Sequence, residues 1–259
     1  MSASDMAAIQ AAKRDLRRQI KSVLSGLGQH DIATQSAHAV RALLSLPEFA
    51  AARRLSIYLS MPSSEISTAE LVSASLRLRK RVFVPCTYKC TAPPSRPSQP
   101  GSIMDMVEVT AADFEDGAVT LKPDRWGIPC VSTESLAARA NEFGGVGLTE
   151  GVVPKDGGRE GEEEAGLDVI VMPGLAFDRE MGRVGHGKGF YDYFLSRMRT
   201  FVEESRGRKR MPFLVGLALN EQVLPPGQTV PTDPTDWRVD ALVAGDGSVV
   251  RASDCDSAR

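Results

Sequence analysis

Residues 168–195 constrain the fold most, because they join an apolar strand, a glycine-rich basic loop and a helix. Residues 169–172 are apolar and predict a buried strand, and a helix is expected to begin at Phe190. Between them lies the glycine loop (residues 183–189, RVGHGKG), in which glycines alternate with basic residues. Glycines let backbone N–H groups approach an anion, and a helix N-terminus adds about half a positive charge. The sequence therefore predicts an anion-binding site, with a flexible surface turn as the alternative.

The glycine loop does not match the sequence patterns of the common phosphate-binding loops. A Walker sequence needs Ser or Thr after its lysine, whereas Lys188 is followed by Gly189. The spacing is Gly-x-Gly-x-Gly, so the dinucleotide pattern Gly-x-Gly-x-x-Gly is absent as well. The position of the loop after a buried-type strand nevertheless favours a ligand site over a surface turn.

Composition narrows the classes of ligand. With 259 residues, 42% hydrophobic, 25% charged and a net charge of −2, the chain has an ordinary globular composition. Neither nucleic acid nor an anionic membrane is expected as the main partner, and no apolar run approaches the roughly 20 residues of a membrane span. The four cysteines lack zinc-ligand spacing and are interpreted as structural thiols. One concentrated basic loop suits a small anionic ligand.

The N-terminal segment has the apolar spacing of a helix over residues 6–27. Lys13 and Arg17 are four residues apart and share one face. That face either is solvated or directs two cations at a polyphosphate. The segment is basic and poor in acids, so a mitochondrial presequence is one interpretation and a helix of the mature protein is the other.

Strands that alternate with helices predict an α/β fold, a three-layer sandwich around a largely parallel central sheet. Glu65 lies in the loop after the first strand, where open α/β sheets bind ligands, and Thr68 is expected to cap the next helix. We expect a single domain over residues 1–259, with surface insertions near 91–101 and 143–166 and a short C-terminal tail. Helices are predicted over residues 32–45, from 47, 69–78 and 190–202, and strands over residues 55–59, 81–85, 103–109, 169–172, 175–177, 213–218 and 241–244.

Taken together, the motifs of the chain resemble those of the 5-formyltetrahydrofolate cyclo-ligase family. They occur in the order of that family and cover most of the sequence. The matching segments are KRDLR at 13–17, YLSM and EIST between 58 and 68, MDMV at 104–107, WGIP at 126–129, LDVIVMPGLAFD at 167–178, RVGHGKGFYD at 183–192 and DWRVD at 236–240.

The resemblance implies an ATP- and Mg²⁺-dependent enzyme of folate one-carbon metabolism. Such an enzyme closes the ring of 5-formyltetrahydrofolate to 5,10-methenyltetrahydrofolate, through phosphorylation of the formyl oxygen and attack by N10, with release of ADP and phosphate. The resemblance also implies a fold related to sugar-phosphate isomerases and CoA transferases. We expect a cytoplasmic monomer, with the mitochondrion as the alternative compartment.

Carried over by position, the resemblance assigns roles to four groups of residues. Nucleotide contacts are expected from Lys13, Arg14, Arg17, Arg183, Val184, Gly185, His186, Gly187, Lys188, Gly189, Phe190 and Tyr191. Folate contacts are expected from Leu59, Met61, Glu65, Trp126, His186, Gly187, Lys188, Gly189 and Phe190. Catalysis is assigned to Lys188, Arg183 and Tyr191, and the Mg²⁺ ligands are Asp192 and Asp236. For Met61, Trp126 and Tyr191, core packing is the alternative.

One departure from the family concerns His186, which stands where the family usually has arginine. Histidine carries its charge only below about neutral pH. A folate- or nucleotide-binding protein that has lost catalysis is therefore one alternative function. A sugar-phosphate isomerase or CoA-transferase-like enzyme is another, and it would need neither ATP nor Mg²⁺.

Overall fold

Four helices occupy the N-terminal part of the chain, and they follow the predicted pattern with shifted ends. The computed structural model describes residues 1–90, 100–115, 120–124, 127–154 and 165–252. Trp126, most of the insertion at 91–101, part of the insertion at 143–166 and the C-terminal tail therefore lie outside the described residues. The helices are α1 (Ala3–Leu24), α2 (Gln29–Leu44), α3 (Pro47–Ala51) and α4 (Ala69–Arg77).

Eleven strands and two further helices follow the same alternation within the described ranges. In chain order they are β1 (Arg54–Ile57), β2 (Arg81–Lys89), β3 (Ser102–Val109), β4 (Leu121–Pro123), β5 (Pro129–Val131), α5 (Thr133–Leu136), β6 (Val169–Met172), β7 (Ala176–Phe177), β8 (Arg183–Val184), α6 (Phe190–Glu204), β9 (Phe213–Ala218), β10 (Ala241–Ala244) and β11 (Val249–Arg251).

Seven of these strands form the central sheet, in the order β11-β10-β9-β6-β1-β2-β3. The five inner strands pair in parallel, whereas β3 and β11 pair antiparallel at the two edges. The prediction of a largely parallel sheet is confirmed. Because β1 and β6 are parallel neighbours, the loops that follow them leave the same edge of the sheet.

The two faces of the sheet are covered by different layers. Val169 and Val171 pack in one apolar cluster with residues of α1 to α4, whereas Ile170 and Met172 pack in a second cluster with residues of α6. Successive side chains of a strand point to opposite faces, so an unbroken apolar strand requires cover on both sides. The three-layer prediction is confirmed. Among the helices of the described ranges, none has the length and apolar content needed to cross a bilayer.

Thr68 occupies the N-cap position of α4, as predicted, but the expected cap hydrogen bond from its side chain is absent. Its hydroxyl group donates to the carbonyl of Tyr58 at 2.6 Å and accepts from the N–H of Ser60 at 3.2 Å, and it makes no cap hydrogen bond to α4. The backbone groups of Tyr58 and Ser60, ten and eight residues earlier in the chain, thus take up the hydroxyl group of the buried Thr68, in place of the helix N-terminus. Thr68 therefore closes the loop that carries Glu65.

Helix α6 is tied to the edge strand β3 by a buried ion-pair network. The Arg197 guanidinium lies 2.8 Å from Asp105 Oδ1 and 3.3 Å from Glu142 Oε1. Burial, together with the neighbouring Asp105 carboxylate, raises the pKa of Glu142. Loss of one member would leave a buried charge uncompensated, so the network fixes α6 and the loop that leads into it.

Candidate functional site

The glycine loop connects a short hairpin to the first turn of α6. The N–H of Leu175 donates to the carbonyl of Val184 at 2.7 Å and closes the β7–β8 hairpin. Gly189 is the N-cap of α6 with a φ of 66°, and no side chain caps that end. Gly187 has a φ of 96°, and a Cβ there would lie 3.4 Å from the Arg17 guanidinium carbon. The sequence thus builds an uncapped helix N-terminus beside a cation, as the anion-site prediction requires.

Helix α1 lies against this loop. Arg17 Nε donates to the carbonyl of Gly185 at 2.8 Å, and burial lowers the pKa of Arg17 while Asp236 opposes that shift. Lys13 is only 3% exposed and pairs with Asp233 and Asp236. The shared face of Lys13 and Arg17 is therefore confirmed, and the solvated alternative is wrong for Lys13. Arg14 is exposed beside Arg17.

In Asp192 and in Asp236, one carboxylate oxygen accepts hydrogen bonds from the protein and the other is open, which means that it accepts none from the described residues. Asp192 Oδ1 accepts from Arg183 Nη2 at 3.1 Å and from the N–H of Trp237 at 3.2 Å. Asp236 Oδ2 accepts from Lys13 and from the N–H of Asp233 at 2.7 Å. Within the described residues, the second oxygen of each accepts no hydrogen bond.

Two open carboxylates suit a magnesium ion better than a metal held entirely by protein. Across the described part of the chain, no group of three or more His, Cys, Asp or Glu side chains is arranged to bind a metal. Mg²⁺ commonly takes one or two carboxylates, with waters and substrate phosphates completing its octahedron. Asp192 and Asp236 fit that donor set.

Arg183 and Tyr191 each leave a buried polar atom without a partner. The Arg183 guanidinium lies 5.5 Å from the centre of the Tyr191 ring. In the described structure, Arg183 Nε and the Tyr191 hydroxyl are buried and form no hydrogen bond. Burial raises the pKa of Tyr191 well above its ordinary value, so the hydroxyl keeps its proton. Buried polar atoms are normally satisfied, so these two remain available to hydrogen-bond a ligand.

Glu65 lies on the folate side assigned by the resemblance, in the loop after β1. It is 6% exposed, and its Oε1 accepts from the N–H of Met61. Burial raises the pKa of Glu65 to about 7. Its charge also raises the pKa of Tyr58 and of Tyr191, so Glu65 lies near the start of α6. The loop after β1 and the first turn of α6 therefore lie close enough for their polar side chains to interact electrostatically.

The other residues that the resemblance assigns to the folate or the nucleotide differ in how far they are buried in the core. Leu59 packs against the core, and Phe190 and Tyr191 pack against the cluster beneath α6, which supports a packing role for them. Val184 is buried with its carbonyl paired to Leu175, so its side chain is a core residue. Met61 is half-buried.

The basic residues at the tip of the glycine loop are exposed. Lys188 makes no hydrogen bond or ion pair with any residue that the structure describes, so its ammonium is available to a ligand. The His186 side chain is also exposed. Desolvation in the loop lowers the pKa of His186, and the cations Lys21, Arg17 and Arg183 add to the shift. His186 is therefore charged to a smaller extent near neutral pH than a free imidazole.

Sequence reasoning missed Asp233. The turn before β10 is visibly acidic, but only Asp236 was assigned a role there. Two aspartates three residues apart in Asp-Pro-Thr-Asp could have indicated a turn whose carboxylates converge. The contact of Asp233 with a lysine 220 residues earlier left no local signal.

The fold is that of an α/β enzyme with a largely parallel sheet, and Arg17 lies beside, and Arg183 within, the glycine loop that leads into α6. The sequence profile of the 5-formyltetrahydrofolate cyclo-ligase family matches residues 9–245. The chain belongs to this family, whose cyclo-ligase reaction is nucleotide-dependent.

Similar proteins agree with this assignment. The chain is 32% identical to the 5-formyltetrahydrofolate cyclo-ligase of Saccharomyces cerevisiae, over 92% of this chain and 98% of the yeast protein. It is 30% identical to a probable 5-formyltetrahydrofolate cyclo-ligase of Schizosaccharomyces pombe, over 89% of this chain and 94% of that protein. The NMR structure of Aquifex aeolicus 5,10-methenyltetrahydrofolate synthetase shares the fold, with a TM-score of 0.57 at 22% identity, covering 93% and 92% of the two chains.

Proposed function

We propose that the protein cyclises 5-formyltetrahydrofolate to 5,10-methenyltetrahydrofolate, using ATP and Mg²⁺. The convergence of α1, the glycine loop and the Asp192/Asp236 pair carries this proposal. Arg17 binds the loop at Gly185, and Lys13 contacts Asp236. Cations, N–H groups and open carboxylates are the groups that phosphoryl transfer needs, because its catalysis is mostly positioning and charge stabilisation.

On the nucleotide side, the chain supplies two cations that are held by hydrogen bonds, together with the exposed cation Lys188. Arg17 and Arg183 are held by hydrogen bonds, to Gly185 and to Asp192 respectively, and so offer charge in a set geometry. Lys188 is the exposed cation that can follow the transferred phosphoryl group. Bound through Asp192 and Asp236, Mg²⁺ would neutralise charge on the phosphates.

On the folate side, Glu65 is the polar anchor. Its buried carboxyl group can hydrogen-bond the pterin edge, while Leu59, Met61, Phe190 and Tyr191 offer apolar surface around it. Trp126 is the fifth residue to which we assign an apolar contact with the folate. The Tyr191 hydroxyl, which lacks a partner in the described structure, gives a ligand one further hydrogen-bonding group.

The proposed chemistry balances without a further reagent. The formyl oxygen attacks the γ-phosphorus and ADP leaves, which makes the formyl carbon electrophilic. N10 then attacks that carbon and loses its proton, and the C–O bond breaks to release phosphate. Because the Arg183 guanidinium and the first turn of α6 are fixed before substrate binds, little reorganisation is needed when charge develops.

A spectroscopic assay tests the proposed reaction. Purified protein is mixed with 5-formyltetrahydrofolate, ATP and Mg²⁺, and absorbance of the methenyl product is followed. Product is expected only when both ATP and Mg²⁺ are present. Binding of both substrates without product would support the alternative of a non-catalytic family member, whereas an activity that needs neither ATP nor Mg²⁺ would contradict the nucleotide assignment.

We also propose a cytoplasmic monomer. Helix α1 contributes Ile20 and Leu24 to the core, so its basic residues belong to the folded domain and need no targeting role to explain them. Size-exclusion chromatography with light scattering would show the mass of one chain. Fluorescent tagging at the C-terminus would show whether the protein is in the cytoplasm or, as the alternative has it, in mitochondria.

Replacing His186 with arginine should preserve activity at pH 7 to 8 and change the acidic limb of the pH profile. The pKa of His186 is lowered from 6.5, so the imidazole gains its charge only below that value. Arginine carries the charge throughout, and kcat/KM for ATP should therefore vary less below about pH 6.5 than in the wild type. Identical pH profiles would show that titration of His186 does not affect nucleotide binding.

A further inference from the structure

Asp233 is the most completely bonded carboxylate at the site, and the proposed reaction assigns it no role. Its Oδ1 accepts from the N–H of Thr235 at 2.9 Å and from the Thr235 hydroxyl at 2.5 Å. Its Oδ2 accepts from Lys13 Nζ at 2.7 Å and from Gln10 Nε2 at 3.3 Å. Both oxygens are thus occupied, so Asp233 has no oxygen open to a metal, in contrast to Asp236.

Lys13 requires compensation because its ammonium is buried. The side chains of Lys13, Asp233 and Asp236 are 4%, 3% and 15% exposed, respectively. A buried ammonium is costly unless paired charges and hydrogen bonds offset its desolvation. In this structure two carboxylates share that task, and Arg17 adds a second cation near Asp236.

We propose that Asp233 is a positioning residue that compensates Lys13 and so lets Asp236 serve a metal–nucleotide complex. This inference rests on the proposed function. When Asp236 is engaged by Mg²⁺, Asp233 remains as the carboxylate partner of Lys13. Without Asp233, the ammonium would hold Asp236 as its sole counter-charge in the described site and would repel the divalent ion. Asp233 therefore favours the nucleotide with its metal over the nucleotide alone.

The direction in which loss of Asp233 changes nucleotide binding, with and without Mg²⁺, distinguishes the proposed role from a general structural role. Replacing Asp233 with asparagine makes the site more positive. Binding of metal-free nucleotide should then be unchanged or tighter, whereas the affinity gained by adding Mg²⁺ should fall. A structural defect would instead weaken both kinds of binding together.

Calorimetric titration with a non-hydrolysable ATP analogue, in excess Mg²⁺ and in EDTA, tests the proposal. The quantity compared is the affinity in Mg²⁺ divided by the affinity in EDTA. This ratio should fall about tenfold in Asp233→Asn, which is the size of a typical coupling between groups in contact. Asp15→Asn is the matched control, because Asp15 lies on α1 with its side chain 70% exposed, and its ratio should equal that of the wild type. An unchanged ratio in Asp233→Asn, or equal weakening in both buffers, overturns the proposal.

Lys13→Met provides a test that does not depend on the folding of Asp233→Asn. It removes the cation and leaves Asp233 as surplus negative charge, so the ratio should rise even though absolute affinity falls. A ratio that falls or stays constant contradicts the proposal. A wild-type protein that binds no nucleotide with Mg²⁺ would overturn the proposed function as well, which distinguishes that failure from failure of the Asp233 assignment alone.

Discussion

Lys188→Ala is expected to lower kcat by roughly two to three orders of magnitude, the usual cost of losing one group that stabilises transition-state charge. Lys188 is exposed and makes no ion pair with the described residues, so no carboxylate among those residues neutralises its charge. Its position next to the N-cap Gly189 places that charge beside the start of α6. The measurement is steady-state cyclisation, followed by absorbance at saturating ATP and folate.

The control for Lys188→Ala is Arg18→Ala. The Arg18 side chain is 80% exposed on α1 and pairs only with Asp15 in the described structure, so kcat should stay within about twofold of the wild type. Lys188→Arg should recover part of the activity, because it restores the charge with a different shape. Equal losses in Lys188→Ala and Arg18→Ala would show that net positive charge, and not the glycine loop, governs turnover.

Glu65→Gln is expected to weaken folate binding about tenfold to a hundredfold while making the folded protein more stable at pH 8. The binding loss follows from removing a charge-assisted hydrogen bond to the pterin edge. The gain in stability follows from burial, which raises the pKa of Glu65 from 4.5 to about 7. An ionised, buried carboxylate destabilises the folded state, and glutamine removes that charge without changing the shape.

The upward shift of the Glu65 pKa determines the pH range over which this residue affects the stability of the folded protein. The folded state holds the Glu65 proton more tightly than the unfolded state, so this contribution to stability is complete below about pH 4.5 and is lost as pH rises through 7. The shift corresponds to roughly 3 kcal/mol above pH 7. The difference in unfolding free energy between Glu65→Gln and wild type should therefore grow between pH 4.5 and 7.

Denaturant unfolding at several pH values, paired with folate titrations, measures both effects. Glu70→Gln is the matched control, since Glu70 lies in the first turn of α4 with its side chain 67% exposed, and it should show neither change. A stability difference that is independent of pH would mean that Glu65 is already neutral or already paired in the folded protein.

The central architecture could be predicted because its strands bear strong local patterns. Residues 169–172 form an unbroken apolar run, which is typical of a strand covered on both faces, and β6 confirms that prediction. Strand β11 was missed because its three residues are half-buried and sit at the sheet edge, where alternation is weak. The β7–β8 hairpin was missed in part because β8 is only two residues long.

At the candidate site, the sequence indicated which residues take part better than it indicated which residues they contact. The glycine loop and the shared face of Lys13 and Arg17 follow from local spacing, and the structure brings them together at Gly185. The partners of Lys13 could not be predicted, because Asp233 and Asp236 lie on a turn set by tertiary packing. The pKa of Glu65 was likewise beyond reach, since burial of a loop acid depends on which loops meet above the sheet.

The pairing of Lys13 with the Asp233–Asp236 turn also has a consequence for the timing of biosynthesis. The partners are separated by 220 and 223 residues, so α1 leaves the ribosome long before the turn that completes the site. At about 5 to 20 residues per second, α1 must wait at least ten seconds with its lysine unpaired. A nascent chain should therefore be unable to retain nucleotide until the turn that carries Asp233 and Asp236 has been synthesised and has left the ribosome.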